Sequence, residues 1–262
     1  MPWRQVTSRR LIGLLKWPII AGLATMVILY FFTWVKMLGA VMAFGFCVFS
    51  LTAIMLEYWR GVRARHKAHG ESYGQAISRL TARNRRRYGG YLIHFGVILG
   101  AVGIIGMEFY QVETQQNVAR GESFTISSPF AGTYELTYLN LASGEKPNPN
   151  IDIIEAHLEV KRNGKPIGEI VPYREFFILQ QQPMTIPDTK LGLGDELYII
   201  IAGWEGTGET ATFTTYINPL INWLWFGGFV MMLGTFVAAW PQPERAPRTR
   251  SATVDRRFAV AK

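Results

Sequence analysis

The sequence predicts a membrane α-helical protein, with about four transmembrane helices and an inserted extracytoplasmic all-β domain. Three observations lead there. From Pro18 to Tyr58 the only charges are Lys36 and Glu57, and none occurs in Gly89–Met107 or Ile217–Trp240. Apolar runs of about 20 residues match the ~30 Å hydrocarbon core of a bilayer. Between the last two runs, apolar and polar residues alternate with the period of a β-strand. The averages, 49% hydrophobic and 18% charged over 262 residues, resemble a soluble protein. Their distribution excludes a wholly soluble chain, and a disordered or collagen-like one too.

The chain opens with Arg4, Arg9, Arg10 and Lys16 before an apolar stretch, which resembles a signal peptide. The stretch Pro18–Val35 is too long for a signal core, and no small-x-small cleavage site follows it. It is expected to stay as the first span. The second span covers Met37–Glu57, joined so tightly around Lys36 that the two form an antiparallel hairpin. Residues 1–59 thus hold a cytosolic tail and the first transmembrane hairpin. Residues 60–88 are a basic cytosolic loop, read as a connector. The third helix occupies 89–110, the β domain 111–216, the fourth helix 217–240 and a basic cytosolic tail 241–262. Trp17, Trp34, Trp59, Tyr88, Tyr110 and Trp240 near the run ends form the aromatic belt of membrane interfaces.

Lys/Arg counting sets the orientation. The N-terminal tail, the 60–88 loop and the C-terminal tail share one side and hold 19 of the 27 basic residues, so that side is cytoplasmic. The segment 111–216 carries 7 basic and 14 acidic residues, a net of 7 − 14 = −7, and falls on the periplasmic side. The overall charge of +8 is therefore no uniform basic surface, and no nucleic-acid partner is expected. Membrane lipid is. The chain is expected in a bacterial cytoplasmic (inner) membrane, multi-pass, with both termini cytoplasmic.

Within 111–216, Tyr134, Leu136 and Tyr138 alternate with Glu135 and Thr137. Ile154, Ala156, Leu158 and Val160 alternate with Glu155, His157, Glu159 and Lys161. Asn163-Gly164 supplies the positive φ angles of a tight hairpin. Leu197–Trp204 and Thr210–Tyr216 complete a small antiparallel sheet or barrel, and Gly144–Asn150 is a loop.

Few residues offer chemistry. The one cysteine, Cys47, excludes a disulfide framework within the chain and reads as a small buried apolar residue. His66 and His69 fall in the basic loop and read as solvated, with Glu71 the nearest carboxylate. His157 falls on the polar face of a strand and reads as exposed. Asp195, Glu196, Glu205 and Glu209 read as solvated loop ends. There is no nucleophile elbow, zinc pattern or P-loop, and no catalytic residue is assigned.

His94 differs. It lies inside the third span, roughly 10 Å beyond Arg87. Ionisable residues at that depth usually face the bundle or a cofactor. At 100° per residue, Gly90 and Ala101 lie within about 40° of His94, while Gly96, Gly100 and Gly103 cluster opposite. The glycine side allows close approach of another helix. Gly90 and Ala101 leave lateral room for a flat macrocycle whose iron the imidazole binds. The alternative is a histidine hydrogen-bonded to a neighbouring helix. Ligation by neutral imidazole also requires a partner for its other ring N–H.

Two stretches carry a family resemblance. Arg85-Arg86-Arg87-Tyr88-Gly89-Gly90-Tyr91-Leu92-Ile93-His94-Phe95-Gly96-Val97 opens the third span. Asn218-Pro219-Leu220-Ile221-Asn222-Trp223-Leu224-Trp225-Phe226-Gly227-Gly228 opens the fourth, followed by Gly234-Thr235 and Pro241-Gln242-Pro243. In this order, with a β domain between, the chain resembles the C-terminal part of the cytochrome c-type biogenesis protein CcmF. The resemblance runs from the first span to Pro243. It implies a haem lyase subunit that receives haem from a haem chaperone and helps join it to Cys-x-x-Cys-His motifs of apocytochrome c. It also implies a membrane haem b, kept reduced by quinol, with His94 as one axial ligand.

The family's Trp-rich, Asp-ended outer segment with its flanking histidines is missing here, as is a second axial ligand. That ligand is expected from an N-terminal CcmF-like subunit, and Met1 with its basic tail favours a split subunit over a truncation. The other reading is a non-catalytic membrane scaffold subunit whose β domain docks apocytochrome or the haem chaperone. A weaker third is a transporter fragment.

Overall fold

The computed structural model describes residues 8–33, 35–146 and 148–241. Trp34, Arg4 and the basic residues from Arg245 onward lie outside the described residues, so the belt and tail assignments made on them rest on sequence. Five α-helices and ten strands occur among the described residues. Four of the helices are long and apolar enough to cross a membrane.

Helix α1 spans Ser8–Phe32 and α2 spans Leu38–His69. They pair across the turn at Lys36, whose ammonium donates to the Tyr30 carbonyl. Pro18 lies inside α1 rather than opening it, and Lys16 belongs to the helix. Helix α2 runs beyond Glu57 to His69. Its 32 residues span about 48 Å, so it outreaches the ~30 Å bilayer core by several turns.

The basic loop is not an unstructured connector. After Gly70, whose φ of 64° ends α2, helix α3 (Tyr73–Arg83) folds back, with the Ser72 hydroxyl accepting from the Gln75 N–H. Glu71 holds the corner. It accepts from Arg65 at 2.7 and 3.0 Å and from Arg79 at 2.6 Å, and its backbone carbonyl accepts from His66 Nδ1 at 2.6 Å. His66 stacks on Tyr73, with ring centroids 4.4 Å apart. His66 is therefore not a solvated loop residue, whereas His69, the last residue of α2, is exposed. The connector reading missed α3 although Tyr73, Ala76, Ile77 and Leu80 recur at helical spacing and Ala76 is fully buried; the basic charge of the segment hid an amphipathic helix.

Helix α4 spans Arg85–Tyr110 and α5 spans Asn222–Ala239. They touch backbone to backbone. A Cβ on Gly96 would lie 2.6 Å from the Gly227 carbonyl oxygen, and one on Gly227 would lie 2.5 Å from that of Gly96. Only glycine permits this approach. On another face of α4, Ile98 and Ile105 pack with Ala40, Val41 and Cys47 of α2. Cys47 is buried, as expected of a small apolar residue.

The β domain grows from this helix pair. Strand β1 (Val112–Ala119) leaves α4 and pairs antiparallel with β10 (Thr210–Pro219), which enters α5. At the junction the Gln111 side-chain amide donates to Asn218 at 2.7 Å. One sheet continues through β9 (Asp195–Glu205) to β8 (Asp188–Leu191). The other has the order β2 (Ser123–Ser128), β3 (Gly132–Ser143), β4 (Ile151–Arg162), β6 (Tyr173–Phe177), β7 (Gln182–Ile186), with β5 (Lys165–Ile170) also on β4. The pairs are antiparallel, as the alternation predicts. Tyr134, Leu136, Tyr138, Leu158, Val160, Leu197, Ile199, Ile201 and Phe213 form the core. Asn163 and Gly164 turn β4 into β5 with φ of 50° and 76°.

Four readings need correction. Ile153 rather than Ile154 is buried, because β4 changes partner from β5 to β6 at that point and the inward phase shifts. Asp195 is fully buried, not solvated. Its Oδ1 accepts from the Tyr134 hydroxyl at 2.9 Å, and burial beside that carboxylate pushes the Tyr134 phenol up. His157 is half-buried, with Nδ1 2.5 Å from the Glu169 carboxylate. Glu196, beside Asp195, is half-buried within β9 and accepts from the Asn218 side-chain amide at 3.0 Å rather than ending a solvated loop. Glu205 and Glu209 are exposed, as expected.

Two predictions follow from these contacts. Gly96→Leu should lower the thermal midpoint in detergent, with an overpacking cost of about 1–3 kcal/mol or more. Gly100→Ala should be neutral or mildly stabilising, because a Cβ there meets only Leu224 Cδ1 at an ordinary 3.5 Å. A midpoint that falls equally in both would refute glycine-limited contact.

The second concerns pH. Hydrogen bonds from Arg65 and Arg79 hold the Glu71 carboxyl down to about 2 from its ordinary 4.5. A lowered carboxyl contributes stability above its unfolded value and loses it as pH falls through the folded one. The protection of amides 73–83, taken relative to the intrinsic exchange rate at each pH, should therefore stay high at neutral pH and fall toward pH 2. Glu71→Gln should lower that protection already at neutral pH.

Candidate functional site

His94 sits on α4 where three helix faces diverge. The glycine face, with Gly96 and Gly103, is covered by α5. The face with Ile98, Val102 and Ile105 meets α2. Between them lies a side that nothing among the described residues covers, carrying His94, Val97 and Ile104, all exposed. Gly90 is on this side too, and a Cβ built on it meets nothing within 4 Å. The lateral room expected beside the imidazole is present at Gly90 but not at Ala101, which packs against the cluster that joins α4 to α2.

The ring is oriented from within its own helix. His94 Nδ1 lies 2.7 Å from the Gly90 carbonyl oxygen. A carbonyl only accepts, so Nδ1 carries the hydrogen and donates. In the neutral ring Nε2 is then the bare nitrogen, and it has no protein partner among the described residues. This is the tautomer a metal-binding imidazole needs, with the second ring nitrogen tied down. Sequence reading missed the Gly90 carbonyl as partner. The i−4 spacing was visible, but any helical histidine has such a carbonyl, and only the rotamer selects it. The alternative of a hydrogen bond to a neighbouring helix is not what the ring does.

The neighbouring charges are already matched. Arg87, two turns before His94, donates to Glu57 at 2.6 Å and to the Tyr91 hydroxyl at 3.0 Å. Tyr58 donates to the Tyr88 carbonyl at 3.1 Å. A groove of about 430 Å³ opens between α2, α3 and α4, lined by residues including Trp59, Tyr73, Ile77, Tyr91 and Phe95, and His94 is not among its lining residues. His66 and His157 have protein partners elsewhere, and among the described residues no three His, Cys, Asp or Glu side chains cluster to hold a metal ion. The residues present fit a single imidazole ligand to a flat metal macrocycle, not a protein-only metal site.

No protein-family model matches the chain. Curated relatives do. The chain is 27% identical over 245 residues to the cytochrome c-type biogenesis protein CcmF of Pseudomonas aeruginosa, covering 90% of this chain and 34% of that protein. It is 31% identical over 148 residues to the cytochrome c-type biogenesis protein NrfE of Haemophilus influenzae, covering 56% of this chain and 22% of that protein. The solved structure of a cytochrome c haem lyase CcmF superposes with a TM-score of 0.70 at 24% identity, over 92% of this chain and 36% of that one. The chain is CcmF-like.

The coverage fits the C-terminal part of such proteins, and the chain spans about a third of the length of that CcmF relative. The structural match speaks for the fold: four membrane helices with a β domain between the last two. Relatives of the CcmF-like chain are bacterial, and its apolar helices make it a bacterial membrane protein.

Proposed function

We propose that this CcmF-like chain acts in cytochrome c maturation as a haem-binding membrane subunit, with His94 supplying one axial ligand of a b-type haem. The observation that carries this reading is the His94 geometry: Nδ1 held by the Gly90 carbonyl, Nε2 bare, and an uncovered side with open space at Gly90. Bound there, a haem would supply a one-electron carrier within the membrane. This chain's own residues do three things. His94 presents a neutral nitrogen, Gly90 both fixes the ring and leaves room beside it, and the α4–α5 contact holds that side outward.

The second ligand comes from another chain, an N-terminal CcmF-like subunit that covers the same side of α4. The likeness to CcmF supports placing the pair in haem attachment to the Cys-x-x-Cys-His motif of apocytochrome c, with haem delivered by a haem chaperone. The basic 60–88 segment supports a cytoplasmic side there and a periplasmic β domain. No catalytic residue is assigned to this chain. The scaffold reading keeps one observation of its own: strand β7 is an exposed sheet edge beside the exposed Ile178, Leu179 and Met184. Pro183 removes one donor from that edge, which weakens strand addition as the binding mode.

The test is the reduced-minus-oxidised spectrum of the chain co-purified with its N-terminal partner. A bis-histidine b-type spectrum is expected. His94→Gly should abolish it, and added imidazole should restore part of it, which a structural role would not allow. Gly90→Leu should leave the thermal midpoint nearly unchanged yet remove most of the haem. Co-purification without haem, or an unchanged spectrum in His94→Gly, sinks the reading and favours the scaffold.

A further inference from the structure

The turn from β8 to β9, Leu191–Gly194, is fastened by three consecutive carbonyls to Leu220, at the bend from β10 into α5, and to Asn222 and Trp223, the first residues of α5. The Gly192 carbonyl accepts from the Asn222 side-chain amide at 2.6 Å. The Leu193 carbonyl accepts from the Trp223 indole N–H at 3.0 Å. The Gly194 carbonyl accepts from the Leu220 backbone N–H at 2.9 Å. Gly192 N–H closes the turn on the Asp195 carbonyl at 2.8 Å. The loop is therefore held at the height where the fourth span begins.

Its side chains are apolar and point away from the protein. Leu193 is 85% exposed and Leu191 70%. Below them α5 shows Trp225 and Phe226, also exposed, as a lipid-facing helix does. Leu193, Asn222, Trp223 and Phe226 line a slot of about 240 Å³ that continues from the loop onto the first turn of α5. Basic residues flank the loop in a domain whose net charge is −7. Lys190 precedes it, the Arg162 guanidinium comes within 3.7 Å of where a Gly192 Cβ would sit, and Lys165 is opposite Arg162 in register. None of the three forms an ion pair with the described residues, but Arg162 is turned inward, its Nε donating to the Ala131 carbonyl at 2.9 Å and its guanidinium lying over the Tyr134 ring, and Glu196 is opposite Leu191 in register.

We propose that Leu191–Gly194 is an interfacial anchor. It places Leu191 and Leu193 in the acyl boundary of the leaflet facing the β domain, with Lys165 and Lys190 toward the lipid phosphates. Apolar side chains continuous with a lipid-facing span, rimmed by cations, are the chemistry of a phospholipid surface. The exposed turn at Ile178 and Leu179 lies at the other end of β4 and has no such continuity. The anchor does not depend on what His94 binds.

The lone native thiol makes the test direct. In a Cys47→Ser background, Leu193→Cys and, as control, Leu179→Cys are labelled with an environment-sensitive fluorophore, and the full chain is reconstituted in phosphatidylglycerol-containing liposomes. The label at 193 should emit blue-shifted and be quenched by nitroxide-bearing lipids but not by iodide. The label at 179 should behave oppositely. Aqueous emission with iodide quenching at 193 overturns the anchor. So does a blue shift without lipid quenching, which would place the loop against protein. Leu191→Cys repeats the measurement at a second site.

Discussion

The contact between α4 and α5 sets the rest of the molecule. Carbonyls of Gly96 and Gly227 come so close that any side chain at either position meets backbone. In lipid this proximity is not driven by the hydrophobic effect, since acyl tails are as apolar as leucine. Van der Waals contact and weak polar contact must supply it. Small residues maximise both. The pair then continues without a break into β1 and β10, whose ladder runs from Val112 opposite Ile217 to Ala119 opposite Thr210. A helix–helix contact in the membrane thereby becomes a sheet outside it, and the β domain inherits its orientation from the glycines.

The same contact decides where His94 looks. A helix of 3.6 residues per turn that gives one face to α5 and another to α2 has one side left. His94 is on it, with its backward-facing nitrogen satisfied by Gly90. An imidazole with a bare nitrogen in hydrocarbon is costly unless it meets a partner. The uncovered side of α4 is thus where the proposed haem and its second ligand would supply that partner.

Much of this was legible in the residue order, for definite reasons. Charge-free runs give spans directly, and a period of two gives strands, so the architecture and the core positions Tyr134, Leu136 and Tyr138 follow. His94 stood out because ionisable residues are rare at that depth. Helix α3 was legible as well, in Tyr73, Ala76, Ile77 and Leu80 at helical spacing, beneath the basic charge of its segment. What local pattern does not hold is pairing at a distance, such as Glu71 meeting Arg65 and Arg79 across the bend. Asp195 looks like any loop carboxylate until Tyr134, 61 residues earlier, reaches it in the folded sheet. The partner-strand switch that buries Ile153 is likewise set by pairing at a distance.

The β8–β9 loop shows how the two halves of the fold constrain each other. Its carbonyls at 192, 193 and 194 accept from Asn222, Trp223 and Leu220. Leu220 turns the chain from β10 into α5 in the left-handed region, with φ of 59°. That conformation is unfavourable for leucine, and its N–H is spent on the Gly194 carbonyl. The strain and the hydrogen bond sit at one residue, so releasing the loop would also release the bend that aims α5. A domain fastened both through β10 and through this loop resists tilting about either attachment alone. Any partner that meets the β domain therefore meets it at a fixed angle to the membrane, and at a fixed rotation relative to the side of α4 that carries His94.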